Sequence, residues 1–244
     1  MIIRENKVKV EEFEDEFVMK SQDKEYDPEE IIFFDLEHYV YKKPKCIGVF
    51  GACEYDNKNK NILVTQYMIE DRDEAIDILY LAKEYFIRMK GKGKKTIVTF
   101  SGNNDFTVIN YLFKENGIDY NFTQEFDSID IQKEYEKEKK VSTGLKKLEK
   151  VFDIEREGEV ISGSNLAKTF HKVMKDKNYF KRMPEEKIEK ILLYNEQDVV
   201  NLLYIYINWK KYIFEDTIEE EITPKNIDDP EEDNIDEDKL NNDL

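Results

Sequence analysis

The sequence is poor in several residue types. Among 244 residues there are two cysteines, two histidines, one tryptophan, five prolines and nine glycines. Two cysteines, Cys46 and Cys53, are too few for a disulfide-stapled secreted scaffold or a four-cysteine zinc site. So little proline and glycine excludes collagen-like and linker-dominated chains. No stretch approaches the roughly 18 uninterrupted apolar residues of a membrane helix. The opening Met1-Ile2-Ile3-Arg4-Glu5-Asn6-Lys7 lacks the apolar segment of a secretory signal. These absences give the expectation of a soluble, cytoplasmic chain in a reducing compartment, with no membrane partner. What is present is 40% hydrophobic and 13% aromatic residues. Over this length they support a sizeable core, in one domain of ordinary size or two small ones, and argue against global disorder.

Cationic charge is also in short supply. The formal net charge is −17, which taken whole argues against a phosphate-rich partner. Its distribution along the chain points the other way. Residues 215–244 hold 14 acidic and 2 basic side chains, and residues 1–30 hold 11 and 5, which leaves residues 31–214 at +1. The sequence therefore divides into an acidic N-terminal extension (1–30), a central domain (31–214) and an acidic tail (215–244) expected to be disordered. The tail reads either as a solvating segment or as one that competes with nucleic acid or docks a protein partner. Val8, Val10, Phe13, Phe17 and Val18 leave open that part of the N-terminal stretch pairs or packs on the domain.

In the middle, Ile31-Ile32-Phe33-Phe34 is a continuously apolar run typical of a strand buried on both faces, ending in Asp35-Leu36-Glu37. Strand-like runs follow at 46–53 and 62–69, separated by the polar turn 56–61. Helical periodicity over 73–89 precedes a break at Gly91-Lys92-Gly93 and a further buried strand at 96–100. A helix from about Asp105 to Glu115 and a strand over 125–130 come next. Helices then dominate: 145–151, 166–174, and a long one from Pro184 to about Phe214. Three strands followed by alternation point to an α/β fold, a mixed β-sheet flanked by helices, an architecture that fits a ribonuclease-H-like fold.

The carboxylates carry the chemistry. Asp35 and Glu37, two apart on an extended chain, point to one face. The pair is either a polar strand end or a shared cation site. Asp105 follows the strand 96–100 and Ser101-Gly102-Asn103-Asn104, as a helix cap or as a third ligand. Tyr194 and Asp198, four apart in the long helix, share a face. Oxygen ligands and scarce histidine favour hard cations, Mg²⁺ or Mn²⁺.

Phe34-Asp35-Leu36-Glu37, then Asp105 after a strand, then Tyr194-x-x-x-Asp198 resembles the DEDDy class of 3′–5′ exonucleases. Within that class, the run Tyr194-Asn195-Glu196-Gln197-Asp198-Val199-Val200-Asn201-Leu202-Leu203 and the segment Gly144-Leu145-Lys146-Lys147-Leu148-Glu149 are similar to the YprB-like ribonuclease-H-like family. Ser101 and Asn104 stand where that class carries an asparagine and an aromatic, and His38-Tyr39 replaces small hydroxyl residues. The resemblance implies two divalent ions held by Asp35, Glu37, Asp105 and Asp198. Asp35 would bridge them, and Tyr194, helped by Glu37, would orient the attacking water. It further implies that Leu36, His38 and Asn103 contact the terminal nucleotide of a single-stranded 3′ end. Lys42, Lys43 and Lys45, with Lys168, Lys172 and Lys175, are the candidate cations for the nucleic-acid backbone, of DNA or RNA. Two other functions remain open on the sequence: a structure-specific endonuclease of the same fold, and a catalytically silent binding module.

Set aside are Gly158-x-x-x-x-Gly163, which lacks the lysine of a phosphate-binding loop, and the cysteines, read as core. His171 reads as a surface or core-edge histidine and Trp209 as core, while Asp127 and Asp130 stay undecided between capping and substrate contact.

Overall fold

The computed structural model describes residues 1–10, 13–21, 24–158 and 161–214. The expected disorder of the acidic tail lies outside them. The strands are β1 (Ile2–Lys9), β2 (Lys20–Ser21), β3 (Lys24–Glu25), β4 (Ile31–Tyr41), β5 (Lys43–Asp56), β6 (Asn61–Met68), β7 (Thr96–Thr99) and β8 (Asp127–Asp130). The helices are α1 (Asp77–Gly91), α2 (Asn103–Glu115), α3 (Phe122–Glu125), α4 (Ile131–Lys139), α5 (Leu145–Val151), α6 (Gly163–Lys175), α7 (Glu185–Ile207) and α8 (Trp209–Phe214).

Six strands form one mixed sheet in the order β1-β6-β5-β4-β7-β8, and β2 pairs with β3 apart from it. The β4–β5–β6 meander is antiparallel and β7 and β8 add in parallel. This is the mixed, helix-flanked sheet of a ribonuclease-H-like fold. The N-terminal stretch, read as an extension, supplies the edge strand β1, paired antiparallel with β6 from Ile2↔Met68 to Lys9↔Asn61. Its side chains alternate only weakly, so its hydrophobic pattern does not announce the pairing.

Side-chain alternation along β4 divides the core. Ile32, Phe34 and Leu36 join one apolar cluster with Phe50 and with Phe86, Ile109 and Phe113 from α1 and α2. Ile31 and Phe33 join the other, with Cys53, Val98, Leu203 and Tyr206. Phe34 lies 5.5 Å, centroid to centroid, from both Phe50 and Phe86, within the range of favourable aromatic pairs. Both cysteines are free and buried, and Cys53 Sγ donates to the Val199 carbonyl at 3.3 Å. Trp209 is core, and Nδ1 of His171 bonds the Tyr39 hydroxyl at the domain edge.

Four local readings change. The first buried strand does not end at Asp35-Leu36-Glu37; β4 continues to Tyr41 because β5 pairs with it from Phe33 to Tyr41, with register shifts after Glu37 and Tyr39. The helix expected at Asp105 starts at Asn103, so Asp105 is not its cap. The helix expected over 184–214 stops at Asn208, whose side chain caps the Tyr204 carbonyl at 2.9 Å, and α8 resumes at Trp209. Finally, α4 has only Ile131 and Tyr135 to bury, one i,i+4 pair, too little periodicity to be read from sequence.

Gly48 is the extra β5 residue where Glu37↔Val49 gives way to His38↔Ile47. A Cβ there would stand 2.3 Å from the ring of Phe170 on α6. Gly48→Ala is therefore expected to destabilise by about 1–3 kcal/mol through overpacking. Each kcal/mol lowers Tm by about 2–4 °C in a chain of this size. Thermal unfolding by circular dichroism checks this, and an unchanged Tm would contradict the packing described.

Candidate functional site

Two periodicities meet at the site. On β4, Asp35 and Glu37 continue the face of Ile31 and Phe33, toward α7. On α7, the buried stripe Ile191, Asn195, Asp198, Leu202, Ile205 repeats at helical spacing. Two of its members are polar, and they face the part of β4 where Asp35 and Glu37 stand. One oxygen from each of Asp35, Glu37 and Asp198 lies within 4.8 Å of the others. Glu37 and Asp198 are buried, and Asp35 is partly open to a cleft of about 730 Å³ whose walls include Phe100, Gly144, Lys146 and Tyr194.

A neutral relay fixes Asp35. Asp35, Gly51 and Gln66 are register partners across β4, β5 and β6. Gly51 leaves space that Asn195 fills: a Cβ at Gly51 would lie 2.1 Å from Asn195 Oδ1. Gln66 Nε2 donates to that oxygen at 2.9 Å and to the Leu192 carbonyl at 2.8 Å. Asn195 Nδ2 in turn donates to Asp35 Oδ2 at 3.1 Å. A second network fixes Asp198. Arg156 bonds Asp198 Oδ1 through Nη2 and Glu149 Oε2 through Nε at 2.7 Å, and Asn201 Nδ2 donates to Glu149 at 2.9 Å. The backbone of Glu157 exchanges two hydrogen bonds with the Gln197 amide, both 3.0 Å, which docks the Arg156 loop on α7.

Burial and like charge act together on the carboxyls. Burial first, then the Asp198 charge, pushes Asp35 up to about 8. Glu37 rises well above the usual carboxylate range by burial and by Asp35 and Asp198. Asp198 rises to about 6 through burial, held back by Arg156. Four of the implied residues are thus sorted: Asp35, Glu37 and Asp198 converge, and Asp105 stands just outside that group. Asp105 is buried in the first turn of α2, raised by burial and by Asp35, Asp130 and Asp198. Its Oδ1 lies 3.7 Å from His38 Nδ1.

Tyr194 lines the cleft one turn before Asp198. Its ring has Lys146 Nζ 4.6 Å and Arg156 Cζ 5.1 Å from its centroid. Burial, then Asp198 and Glu37, raises its phenol, so it remains protonated at neutral pH. Leu36 lies along the cleft wall, and Asn104 Nδ2 sits 3.4 Å from His38 Nε2. Asn103 opens α2, and its side chain lies outside the described residues. Lys42, at φ +58° in the β4–β5 turn, and Lys43, paired with Glu115 at 3.2 Å, are exposed at the hairpin tip, roughly 15 Å along the strand from Glu37. Lys45 on β5 and Lys168, Lys172 and Lys175 on α6 are exposed as well. Asp130 caps α4 at Gln132 N (3.1 Å) and accepts from Ser101 N (2.9 Å), a structural role.

Sequence reasoning missed Gln66, Gly51 and Arg156. No spacing rule marks them, because each acts across elements remote in sequence. Asn195, Lys146 and Glu149 lie inside the two motifs that carry the family resemblance, which by itself gives them no role. The donor set is entirely carboxylate oxygen with no histidine or thiol, and its three like charges sit together in partial burial. It therefore fits a divalent cation.

Residues 32–210 match a family model described as the RNase H superfamily. No curated protein matches the chain.

The raised carboxyls give stability a pH dependence. Between about pH 4 and 8 the metal-free native protein keeps protons that the unfolded chain has released, so its stability falls as pH rises. Asp35→Asn removes the charge and keeps an acceptor for Asn195. It is expected to flatten this fall and raise the metal-free Tm at pH 8 by about 2–4 °C or more. Thermal scans in EDTA from pH 5 to 8 check it. A lower Tm for the variant at pH 8 would contradict the repulsion described.

Proposed function

The chain belongs to the RNase H superfamily, and on that premise we propose that it is a divalent-cation-dependent 3′–5′ exonuclease acting on single-stranded nucleic acid. Membership supports nuclease-type activity generally. The exonuclease direction rests on the resemblance to the DEDDy class together with one observation: Asp35, Glu37 and Asp198 converge within 4.8 Å in a cleft that Tyr194 lines. No helix among the described residues is long and apolar enough to cross a membrane.

Asp35, Glu37 and Asp198 would hold the cation, with Asp105 beside them as the fourth carboxylate that a second ion calls for. Hard oxygen donors favour Mg²⁺ or Mn²⁺. Bound there, such ions polarise a phosphate and make a coordinated water more acidic. The chain's own groups supply the rest. Tyr194, protonated, positions the attacking water through its hydroxyl and does not take its proton, and Glu37 helps to orient that water. Asn195 holds Asp35 in one orientation, and Arg156 does so for Asp198, which limits reorganisation during reaction. Leu36, His38 and Asn103 would flank the terminal nucleotide, with Lys42 and Lys43 farther along the strand. Water adds to phosphorus as the P–O3′ bond breaks. One proton of the water ends on the departing 3′ oxygen and the other in solvent.

The test uses a 5′-labelled single strand with Mg²⁺ or Mn²⁺. A ladder of shortened products with released mononucleotides is expected, while a circular single strand resists. Asp198→Asn and Asp35→Asn should each lower the rate by about 10³-fold, several kcal/mol of transition-state stabilisation. Cutting of the circle would make the protein an endonuclease. Absence of hydrolysis with either cation would make it a binding module.

A further inference from the structure

The two cations against Tyr194 are held in different ways. Arg156 is held by both neighbouring acids: its Nε and Nη2 span Glu149 and Asp198, and it is 9% exposed. Lys146 is not. It is half-buried on the cleft wall, in the first turn of α5, and its Nζ donates to the Ile161 carbonyl at 3.2 Å. An ammonium carries three donors, so this bond leaves donor capacity on a residue that lines the cleft. The Tyr194 ring, 4.6 Å from Nζ, and the Ile161 carbonyl together restrict where the ammonium can lie. Asp198, Glu37 and Glu149 all exert a charge effect on Lys146, yet the Asp198 and Glu149 carboxylates take their close ion pair from Arg156. A half-buried ammonium beside carboxylates whose close ion pair is with another residue suits a phosphate lying between that ammonium and the divalent cation those carboxylates would hold.

We propose that Lys146 is a further catalytic residue: its ammonium binds a non-bridging oxygen of the scissile phosphate opposite the carboxylate group. This rests on the nuclease reading above. The contact strengthens as negative charge grows on the phosphoryl oxygens, so it acts on kcat more than on KM. Arg156 is a positioning residue, acting through Asp198 and the Tyr194 ring. Lys147, on the same wall, lies outside the claim.

The experiment compares wild type with Lys146→Ala, Lys146→Arg and the exposed control Lys168→Ala. It measures kcat and KM on a single-stranded oligonucleotide, and Tm. Lys146→Ala should lose about 10²-fold in kcat with Tm unchanged. Lys146→Arg should recover part of that loss, and Lys168→Ala should shift only KM. A second readout needs no turnover. In an Asp35→Asn background, adding Lys146→Ala should reduce the slope of log affinity against log salt by about 0.7, one phosphate contact on a single strand. Three results would each overturn the assignment: wild-type kcat in Lys146→Ala, no recovery in Lys146→Arg, or an unchanged salt slope. A wild-type protein that hydrolyses no nucleic acid would instead sink the nuclease reading itself.

Discussion

Three carboxylates drawn within 4.8 Å of each other, largely shielded from water, repel one another, and most of the local architecture serves to hold them there. Left to itself such a group would protonate or move apart. The first tendency is visible: the carboxyls of Asp35, Glu37 and Asp198 are all pushed upward. Yet the geometry is fixed from two sides. Gln66 and Asn195 hold Asp35 by neutral donors, and Arg156, shared with Glu149, holds Asp198. Neither network relieves the repulsion completely. An arrangement so strained without a partner is suited to a cation, which would supply the missing positive charge.

The sheet makes this possible by assigning faces. Up to Glu37, strand β4 sends its even residues into the aromatic cluster with Phe50 and Phe86, and its odd residues toward α7. A stripe on α7 that is otherwise apolar carries Asn195 and Asp198 to the same place. Gly51 lets Asn195 approach the sheet closely enough to reach Asp35. Stability and site are thus one construction: the contacts that bury α7 on the sheet also set the separation of the acids.

Much of this was legible in the sequence because it follows from short-range periodicity. The i, i+2 spacing of Asp35 and Glu37 and the i, i+4 spacing of Tyr194 and Asp198 were enough to place each pair on one face, and the buried runs at 31–34 and 96–100 located the central strands. Where β4 ends was not legible, since Asp35 and Glu37 look like a strand end until β5 is seen pairing beyond them. The edge strand β1 depends on pairing with β6, which leaves little trace in its own residues. Gln66, Gly51 and Arg156 are joined to the site only through tertiary contacts, at sequence separations of 42 for Arg156 and Asp198, 129 for Gln66 and Asn195, and 144 for Gly51 and Asn195. Asp105 shows the same limit from the other side: its place after the strand 96–100 suited either a helix cap or a third ligand, and the fold sets it just beyond Asp35, Glu37 and Asp198, facing His38.

On this reading Asp35, Glu37 and Asp198 would hold a divalent cation. Calorimetric titration of the metal-free protein with Mn²⁺ at pH 7, run in two buffers of different ionisation enthalpy, tests it most directly. Binding should occur below millimolar metal and release protons, because raised carboxyls must ionise to coordinate. No binding at millimolar Mn²⁺, or binding unaltered in Asp35→Asn, would contradict it.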